Sequence, residues 1–361
     1  MSKEYVLVIN PGSTSTKVAI FKEEGIVHEK KLEHAVDELK QFEKLADQYS
    51  YRKALIEDWM KECSIKVGSL RAVVGRGGLL RPMPGGTYSV TDAMIKDLQT
   101  GYQGEHASNL GGILAKAIAD EADAESYIVD PVAVDEFENL ARLSGVPELE
   151  RKSLGHALNI KAVARRAAEE RHKSIDNANF VVAHLGGGIS VAPLLKGRAV
   201  DYNNANEMGP FSPERAGGVP SGDLMRMCFS GKYNQKEIMN KLRGYGGMTA
   251  YLGTNDVREV EKQIEDGNQD AKRVYEAMAY QIAKEIGAMA TVLKGEIDAI
   301  IITGGMAYSE KLIAAIKEYI GFMAPVMVYP GEDEMIALNE GALRVLRSEE
   351  KAKVYEEEVE L

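Results

Sequence analysis

Short apolar runs closed by polar, glycine-rich turns recur along the chain, and two sets of them follow one plan. In the first, Val6-Leu7-Val8-Ile9 runs into Asn10-Pro11-Gly12-Ser13-Thr14-Ser15-Thr16-Lys17, and the alternating run Val18-Ala19-Ile20-Phe21 follows. In the second, Phe180-Val181-Val182-Ala183 runs into His184-Leu185-Gly186-Gly187-Gly188-Ile189-Ser190 and on through 191–195. Each continues through a further polar turn, 22–25 or Lys196-Gly197, into a third strand pattern. Apolar runs of this length with such boundaries predict β-strands. A tight turn rich in Gly and hydroxyls between two strands can aim backbone N–H groups at an anion. The repetition predicts two similar halves.

Between and after these units the pattern alternates. Residues 36–62 are charged, with Leu39, Phe42, Leu45, Leu55 and Trp59 at helical spacing, which predicts an amphipathic surface segment. A strand over 70–74 delivers Gly75-Arg76-Gly77-Gly78-Leu79-Leu80-Arg81-Pro82, a Gly- and Pro-rich loop with an arginine at the strand exit, where sheet proteins place ligands. Helical patterns cover 91–100 and 106–120, and the strand Tyr127-Ile128-Val129 ends on Asp130-Pro131. In the second half a helix over 153–172 has Ser153 as its candidate cap. Residues 203–218 are too rich in helix breakers for regular structure and too long for an idle connection. Helices fill 219–293 with an interruption at 244–254, and Thr254-Asn255-Asp256 reads as N-cap chemistry. The strand Ala299-Ile300-Ile301-Ile302 leads into Thr303-Gly304-Gly305-Met306 just before a helix over 309–320, a place where a phosphate or nucleoside can approach backbone. The strand 326–329, the run Pro330-Gly331-Glu332-Asp333-Glu334 and a long closing helix follow, with 348–361 expected as a solvated helix end.

The 361 residues exceed what one hydrophobic core serves, so two domains are expected. A net charge of -11 leaves no basic field for nucleic acid. The two cysteines, Cys63 and Cys228, are expected as buried thiols of a reducing compartment. With no opening signal pattern and no apolar run of about 20 residues, the chain is expected to be cytoplasmic and free of the membrane.

Any one glycine pair is weak evidence for a nucleotide. Asn10–Lys17, His184–Ser190, Asp256, Gly304-Gly305 and Glu332 nearly all fall at strand ends or loop–helix junctions, and no GxxxxGK[ST] loop is present. Together they suit phosphoryl transfer between two hairpins. These residues resemble the superfamily of acetate and sugar kinases, Hsp70 and actin. Asn10-x-Gly12-Ser13-x-Ser15-x-Lys17, the Arg76 loop, Asp130-Pro131, His184-Leu185-Gly186-x-Gly188 and Gly331-Glu332-Asp333-Glu334-Met335-Ile336-Ala337 resemble the acetokinase family across nearly the whole chain. The loops 75–82 and Gly209-Pro210-Phe211-Ser212-Pro213-Glu214-Arg215 are similar to those of its butyrate kinase branch.

That resemblance implies an α/β fold of two duplicated ribonuclease H-like domains, each a mixed five-stranded sheet flanked by helices, with a cleft between them. Residues 1–150 with 335–361 are expected as the acyl-substrate and phosphate domain and 151–334 as the nucleotide domain, moving about crossings near 150 and 335. Arg76 would hold the substrate carboxylate with Gly77 and Gly78 beside it, Arg215 would contact the transferring phosphoryl, and His184 and Asp130 would complete the catalytic set. Ser13, Ser15 and Lys17 with Gly186, Gly187 and Gly188 would line the phosphates, and Asp256, Arg258, Gly304, Gly305 and Met306 the nucleoside of ATP or ADP. Asn10, Asp130 and Glu332 would surround Mg²⁺, and the chain would form a homodimer or larger assembly. The implied reaction is phosphorylation of a short-chain carboxylate by ATP, butyrate ahead of acetate, propionate or isobutyrate, by direct in-line transfer. A carboxylate, with a pKa near 4 in model acids, needs no general base, so the obstacle is repulsion between two anions. The side chains missing at Gly77 and Gly78 are expected to leave room for a longer acyl tail. A sugar kinase would use Asp130 as base, but an arginine in the substrate loop wants an anion, and an actin- or Hsp70-like ATPase module would bring additional domains or a polymerising surface.

Overall fold

The computed structural model describes residues 3–360, and among them the chain divides into two compact units, one running to Asp135 and resuming at Asp333, the other Glu136–Glu332. The crossing lies earlier than residue 150. Glu136 takes the ammonium of Lys161 and the amide of Ala199, Glu138 N donates to Val200 O, and Phe137 packs edge-on against Tyr202, so 136–138 are tied to the second unit.

In the first unit, β1 (Tyr5–Pro11), β2 (Ser15–Lys22) and β3 (Gly25–Glu33) form an antiparallel meander, and β4 (Leu70–Arg76), β5 (Thr87–Ser89) and β6 (Glu125–Val129) extend the sheet. The order is Lys353–Val354, β5, β6, β4, β1, β2, β3, with β4 parallel to β1 and β6 parallel to β4. Both faces of the central strands are covered, as parallel strands require. Leu7, Ile9, Val18 and Ile20 pack with Ile56, Trp59 and Met60 of the helix Tyr49–Glu62 and with Leu110, Leu114 and Ile118 of the helix Asn109–Ala122. The helix Glu334–Leu346 meets β1, β4 and β6.

The second unit repeats that core. In it β7 (Asn179–Leu185), β8 (Ile189–Leu195) and β9 (Arg198–Ala199) form the meander, and β10 (Ala299–Gly304) and β11 (Val326–Pro330) add parallel strands, in the order β11, β10, β7, β8, β9. Val181, Ala183 and Leu185 face the helices Gln269–Val292 and Glu310–Ile320, and Phe180 and Val182 face the helix Ala157–Glu170. The two-residue period of the strands and burial on both sides explain why these segments read as unbroken apolar runs. The duplicated mixed-sheet fold therefore stands as expected. The first sheet is two short strands wider than five, because β5 and Lys353–Val354 extend it beyond β6.

Several local expectations need correction. The segment 36–62 is broken into a turn of helix at Val36–Leu39, a 3₁₀ turn at Leu45–Gln48 and the helix Tyr49–Glu62. Ser153 is not the helix cap; its hydroxyl lies 2.8 Å from Tyr202 Oη, and the helix begins only at Ala157. Cys63 is half-buried and Cys228 is exposed. Among the described residues no helix is long and apolar enough to cross a membrane. The tail 348–361, whose last residue lies outside the described ones, is not a solvated helix end. The closing helix stops at Leu346, Lys353–Val354 joins the sheet, and Tyr355 is fully buried. Its hydroxyl donates to Asp97 Oδ2 (2.9 Å) and accepts from Arg81 N (3.1 Å), while Arg81 Nε pairs with the same carboxylate oxygen (2.7 Å).

Removing that hydroxyl leaves a buried carboxylate and an amide short of a partner. Tyr355→Phe is expected to lower the unfolding free energy by about 1–3 kcal/mol, read from urea denaturation; an unchanged midpoint would contradict this role for the tail.

Candidate active site

The register of each sheet decides which polar side chains meet. In the first unit Asn10 is next to last in β1, β4 ends at Arg76 and β6 just before Asp130, all at the carboxyl edge of neighbouring parallel strands, where open α/β sheets bind ligands. Close helix packing fixes the β4 exit: a Cβ on Gly75 would lie 2.0 Å from Gly111 O, and one on Gly111 would lie 2.1 Å from Arg76 O. Arg76 Nη1 pairs with Glu334 Oε1 (2.8 Å), Asn10 Nδ2 donates to Glu334 Oε2 (2.6 Å), and Arg76 Nη1 reaches Asn10 Oδ1 (3.4 Å). These three residues, with Gly12, Ser13, Ser15, Lys17 and His106, line a cavity of about 510 Å³. Burial, followed by the nearby Arg76 charge, holds the His106 imidazole below its ordinary pKa.

Asp130 is 2% exposed and sits in the left-handed region (φ 38°). Its Oδ1 accepts from Gly86 N (2.8 Å) while its own amide donates to Gly86 O (2.9 Å), so it is locked to the Pro84–Gly86 loop and caps no helix. Gly77 and Gly78 do not open an acyl pocket. A Cβ on Gly77 would lie 2.3 Å from Pro131 Cβ, and one on Gly78 would lie 2.6 Å from Asn109 Cα and 2.8 Å from Asn109 N. Their bareness serves backbone packing, so the expectation that they make room for a longer acyl chain is withdrawn.

In the second unit His184, next to last in β7, lies opposite Ser190 on β8 and beside Thr303 on β10. It is 1% exposed, and its Nδ1 donates to Asn159 Oδ1 (2.9 Å). Nε2, on the other side of the ring from Asn159, is buried and lies 3.1 Å from Glu332 Oε1 but without hydrogen-bond geometry. The ring of His156 stacks on that of His184, with centroids 4.0 Å apart and planes 14° from parallel, and its Nδ1 lies 3.1 Å from Ser190 Oγ. The Gly186-Gly187-Gly188 turn faces these groups and Arg215. A Cβ on Gly188 would lie 2.2 Å from Arg215 Nη1, so the guanidinium rests directly on bare backbone. Arg215 is half-buried, burial lowers its pKa, and among the described residues its guanidinium has no ion-pair or hydrogen-bond partner. A half-buried cation without a partner is costly and calls for an anion.

Gly304 takes φ 93° and a Cβ there would lie 2.4 Å from Leu185 O, so both backbone and packing require glycine, whereas Gly305 faces open space. The helix does not start directly after them: a 3₁₀ turn, Gly305–Tyr308, intervenes, and Ser309 caps the helix by accepting from Leu312 N. Met306 is buried with the core. Asp256 caps the helix Val257–Glu265 and pairs with the exposed Arg258 (2.6 Å), which holds its carboxyl down at about 2. This is the N-cap chemistry that the local sequence predicts.

For a metal, no group of three or more His, Cys, Asp and Glu side chains is placed to bind one among the described residues. Glu332 lies with His184 in the second unit, whereas Asn10 is bonded to Glu334 in the first. The chain thus hands one carboxylate of Glu332-Asp333-Glu334 to each unit. Asn10 and Glu334 offer hard oxygen atoms of the kind Mg²⁺ prefers, with waters and phosphates completing its shell. Sequence reasoning missed Glu334, His106 and Asn159, and also Arg52, which is fully buried and bonded to the turn after β1. Arg52 shares one helix face with Ile56, Trp59 and Met60, and that spacing was a signal available from the sequence.

Comparison with known proteins gives a consistent result. The acetokinase family model matches residues 149–345. The chain is 55% identical over 350 residues, covering 97% of it and 99% of the relative, to a probable butyrate kinase 2 of Caldanaerobacter subterraneus. It is 52% identical over 351 residues to butyrate kinase 1 of Clostridium acetobutylicum, with the same coverage of both chains. Among solved structures, acetate kinase of Porphyromonas gingivalis superposes with a TM-score of 0.79 and 18% identity over 94% of this chain and 99% of that one. Acetate kinase of Entamoeba histolytica gives 0.74 and 17% over the same shares.

The glycine geometry yields a direct test. Gly78→Val is expected to destabilise the first unit by about 3 kcal/mol or more through overpacking, without reversing any preference among acyl chains. A folded Gly78→Val protein with a switched preference in kcat/KM would restore the pocket explanation.

Proposed function

The chain belongs to the acetokinase family, and on that premise we propose that it transfers a phosphoryl group between ATP and a short-chain carboxylate, butyrate foremost. The observation that carries the reading is Arg76, a planar two-pronged donor at a strand exit beside the Asn10–Lys17 turn, lining a cavity large enough for a small acid. Its present partner is a carboxylate, Glu334, and a substrate carboxylate presents the same group. The names of the curated relatives support butyrate as the acid.

In this reading the first unit takes the acyl substrate and the second the nucleotide. The acid arrives ionised, so no base is required. Arg76 fixes the acceptor, and Ser13, Ser15 and Lys17 offer donors to the phosphoryl. Arg215, whose guanidinium has no ion-pair or hydrogen-bond partner among the described residues, supplies positive charge to the phosphates of the nucleotide, and Gly186, Gly187 and Gly188 let them come close to backbone. Asn159 holds the His184 ring so that Nε2 faces the reacting groups. Gly305 is open to a nucleoside. Asn10 and Glu334 would hold Mg²⁺, which would neutralise phosphate charge. Transfer is direct and in line, with inversion at phosphorus, and the enzyme works in the cytoplasm as a homodimer or larger assembly.

Trapping the acyl phosphate with hydroxylamine tests the reading. Arg76→Ala is expected to reduce butyryl hydroxamate formation by about 10³-fold, the scale of a transition-state arginine, while binding of ADP persists. Acid chain length is read from kcat/KM for acetate, propionate, butyrate and isobutyrate, each buried methylene contributing about 0.8 kcal/mol. Full turnover by Arg76→Ala, or a phosphorylated enzyme competent to pass its phosphate on, would overturn the assignment.

A further inference from the structure

Beneath the turn that follows β1, one buried side chain occupies most of the carbonyls that the turn offers. Arg52 is 0% exposed and enters from the helix Tyr49–Glu62. Its Nη1 donates to Gly12 O (2.8 Å), Ser15 O (3.2 Å) and Thr16 Oγ1 (3.1 Å), and its Nη2 to Ser13 O (3.1 Å) and Gln48 Oε1 (2.8 Å). Nε donates to Gln48 Oε1 as well (3.2 Å). The remaining carbonyl, Thr14 O, accepts from His34 N (2.9 Å). The carbonyls of residues 12–15 are thus all engaged by Arg52 or His34.

In a trans peptide the C=O of one residue and the N–H of the next point in opposite directions. Drawing the carbonyls of Gly12 and Ser13 onto Arg52 therefore turns the amides of Ser13 and Thr14 away from it. Both residues are exposed, and among the described residues neither amide donates a hydrogen bond, whereas the Gly12 amide closes the turn onto Ser15 O (2.7 Å). Two successive N–H groups left free and facing outward form a concavity suited to an anion. Arg52 also has no carboxylate partner among the described residues. Burial lowers its pKa to about 10, so it remains charged at neutral pH.

We propose that Arg52 is a positioning residue, a buried cation that sets the Gly12–Ser15 peptides so that the amides of Ser13 and Thr14 receive the phosphoryl group being transferred. The identity of that anion rests on the carboxylate kinase reading; the orienting role does not. A lysine could not replace it, because a single ammonium cannot span three carbonyls and a glutamine oxygen at once.

The experiment follows the amide signals of Ser13 and Thr14 in protein labelled with ¹⁵N at serine and threonine, using inorganic phosphate as the probe, beside steady-state kinetics and thermal melting. In the unmodified protein phosphate is expected to shift both signals. In Arg52→Ala the shifts are expected to vanish and kcat to fall about 10²-fold, the scale of a small misplacement of a reacting group, with KM for ADP nearly unchanged. Methylguanidine at tens of millimolar should restore both in that variant and leave the unmodified enzyme unaffected. Should Arg52→Ala not fold, Arg52→Lys decides, with the same loss of shifts and a kcat at least about tenfold lower at a melting temperature near that of the unmodified protein. A folded variant with full turnover, or with phosphate-induced shifts intact, overturns the proposal. If the unmodified protein shows no carboxylate kinase activity but phosphate still moves the two signals in an Arg52-dependent way, the kinase reading falls and the orienting role stands.

Discussion

Mutual repulsion of anions is the constraint on which the arrangement of polar groups depends. A carboxylate and a polyphosphate come together only where fixed positive charge and N–H dipoles outweigh their repulsion, and such groups act most strongly where water is excluded. Both units answer this in the same way, by gathering donors at the carboxyl edge of parallel strands. The first presents Arg76, Asn10 and the turn 12–17, and the second presents Arg215, His184 and the triple glycine turn. In the first unit the arginine is held by Glu334, so its charge is balanced. In the second the guanidinium is half-buried on Gly188 and has no such partner among the described residues.

Close backbone approach is the second theme. Gly75 against Gly111 and Gly78 against Asn109, where a strand exit touches a helix start, and Gly304 against Leu185, where two strand ends meet, leave no space for a side chain. Glycines beside a site invite interpretation as pocket-forming residues. Here those at 77 and 78 bring the Arg76 loop down onto Asn109 and Pro131, and what they contribute to the site is the aim of the arginine. Gly305 and Gly186–Gly188 are the ones that lie against open space or against polar side chains of the site.

The buried polar groups underneath form a supporting layer that no surface view reveals. Arg52 and His34 hold the turn after β1, Asn159 and His156 hold His184, and Gly86 holds Asp130. Each links a strand end or turn to a helix or loop distant in sequence. Such partners determine geometry to within fractions of an ångström, which is what transfer between oriented groups requires.

The periodicity of apolar residues was enough to determine the central strands of both sheets, their repetition, the mixed α/β architecture and most helix positions, because burial on both faces of a sheet leaves an unbroken apolar signature that local sequence cannot hide. The strand-exit positions of Asn10, Arg76, Asp130 and His184 were legible for the same reason. Tertiary structure alone decided that Glu334 joins Arg76 while Glu332 joins His184, that Tyr355 closes onto Asp97, and that Arg52 reaches the carbonyls of the turn after β1. Those contacts join residues tens to hundreds of positions apart, and pairing at that separation depends on how helices and strands pack, which no short stretch of sequence encodes.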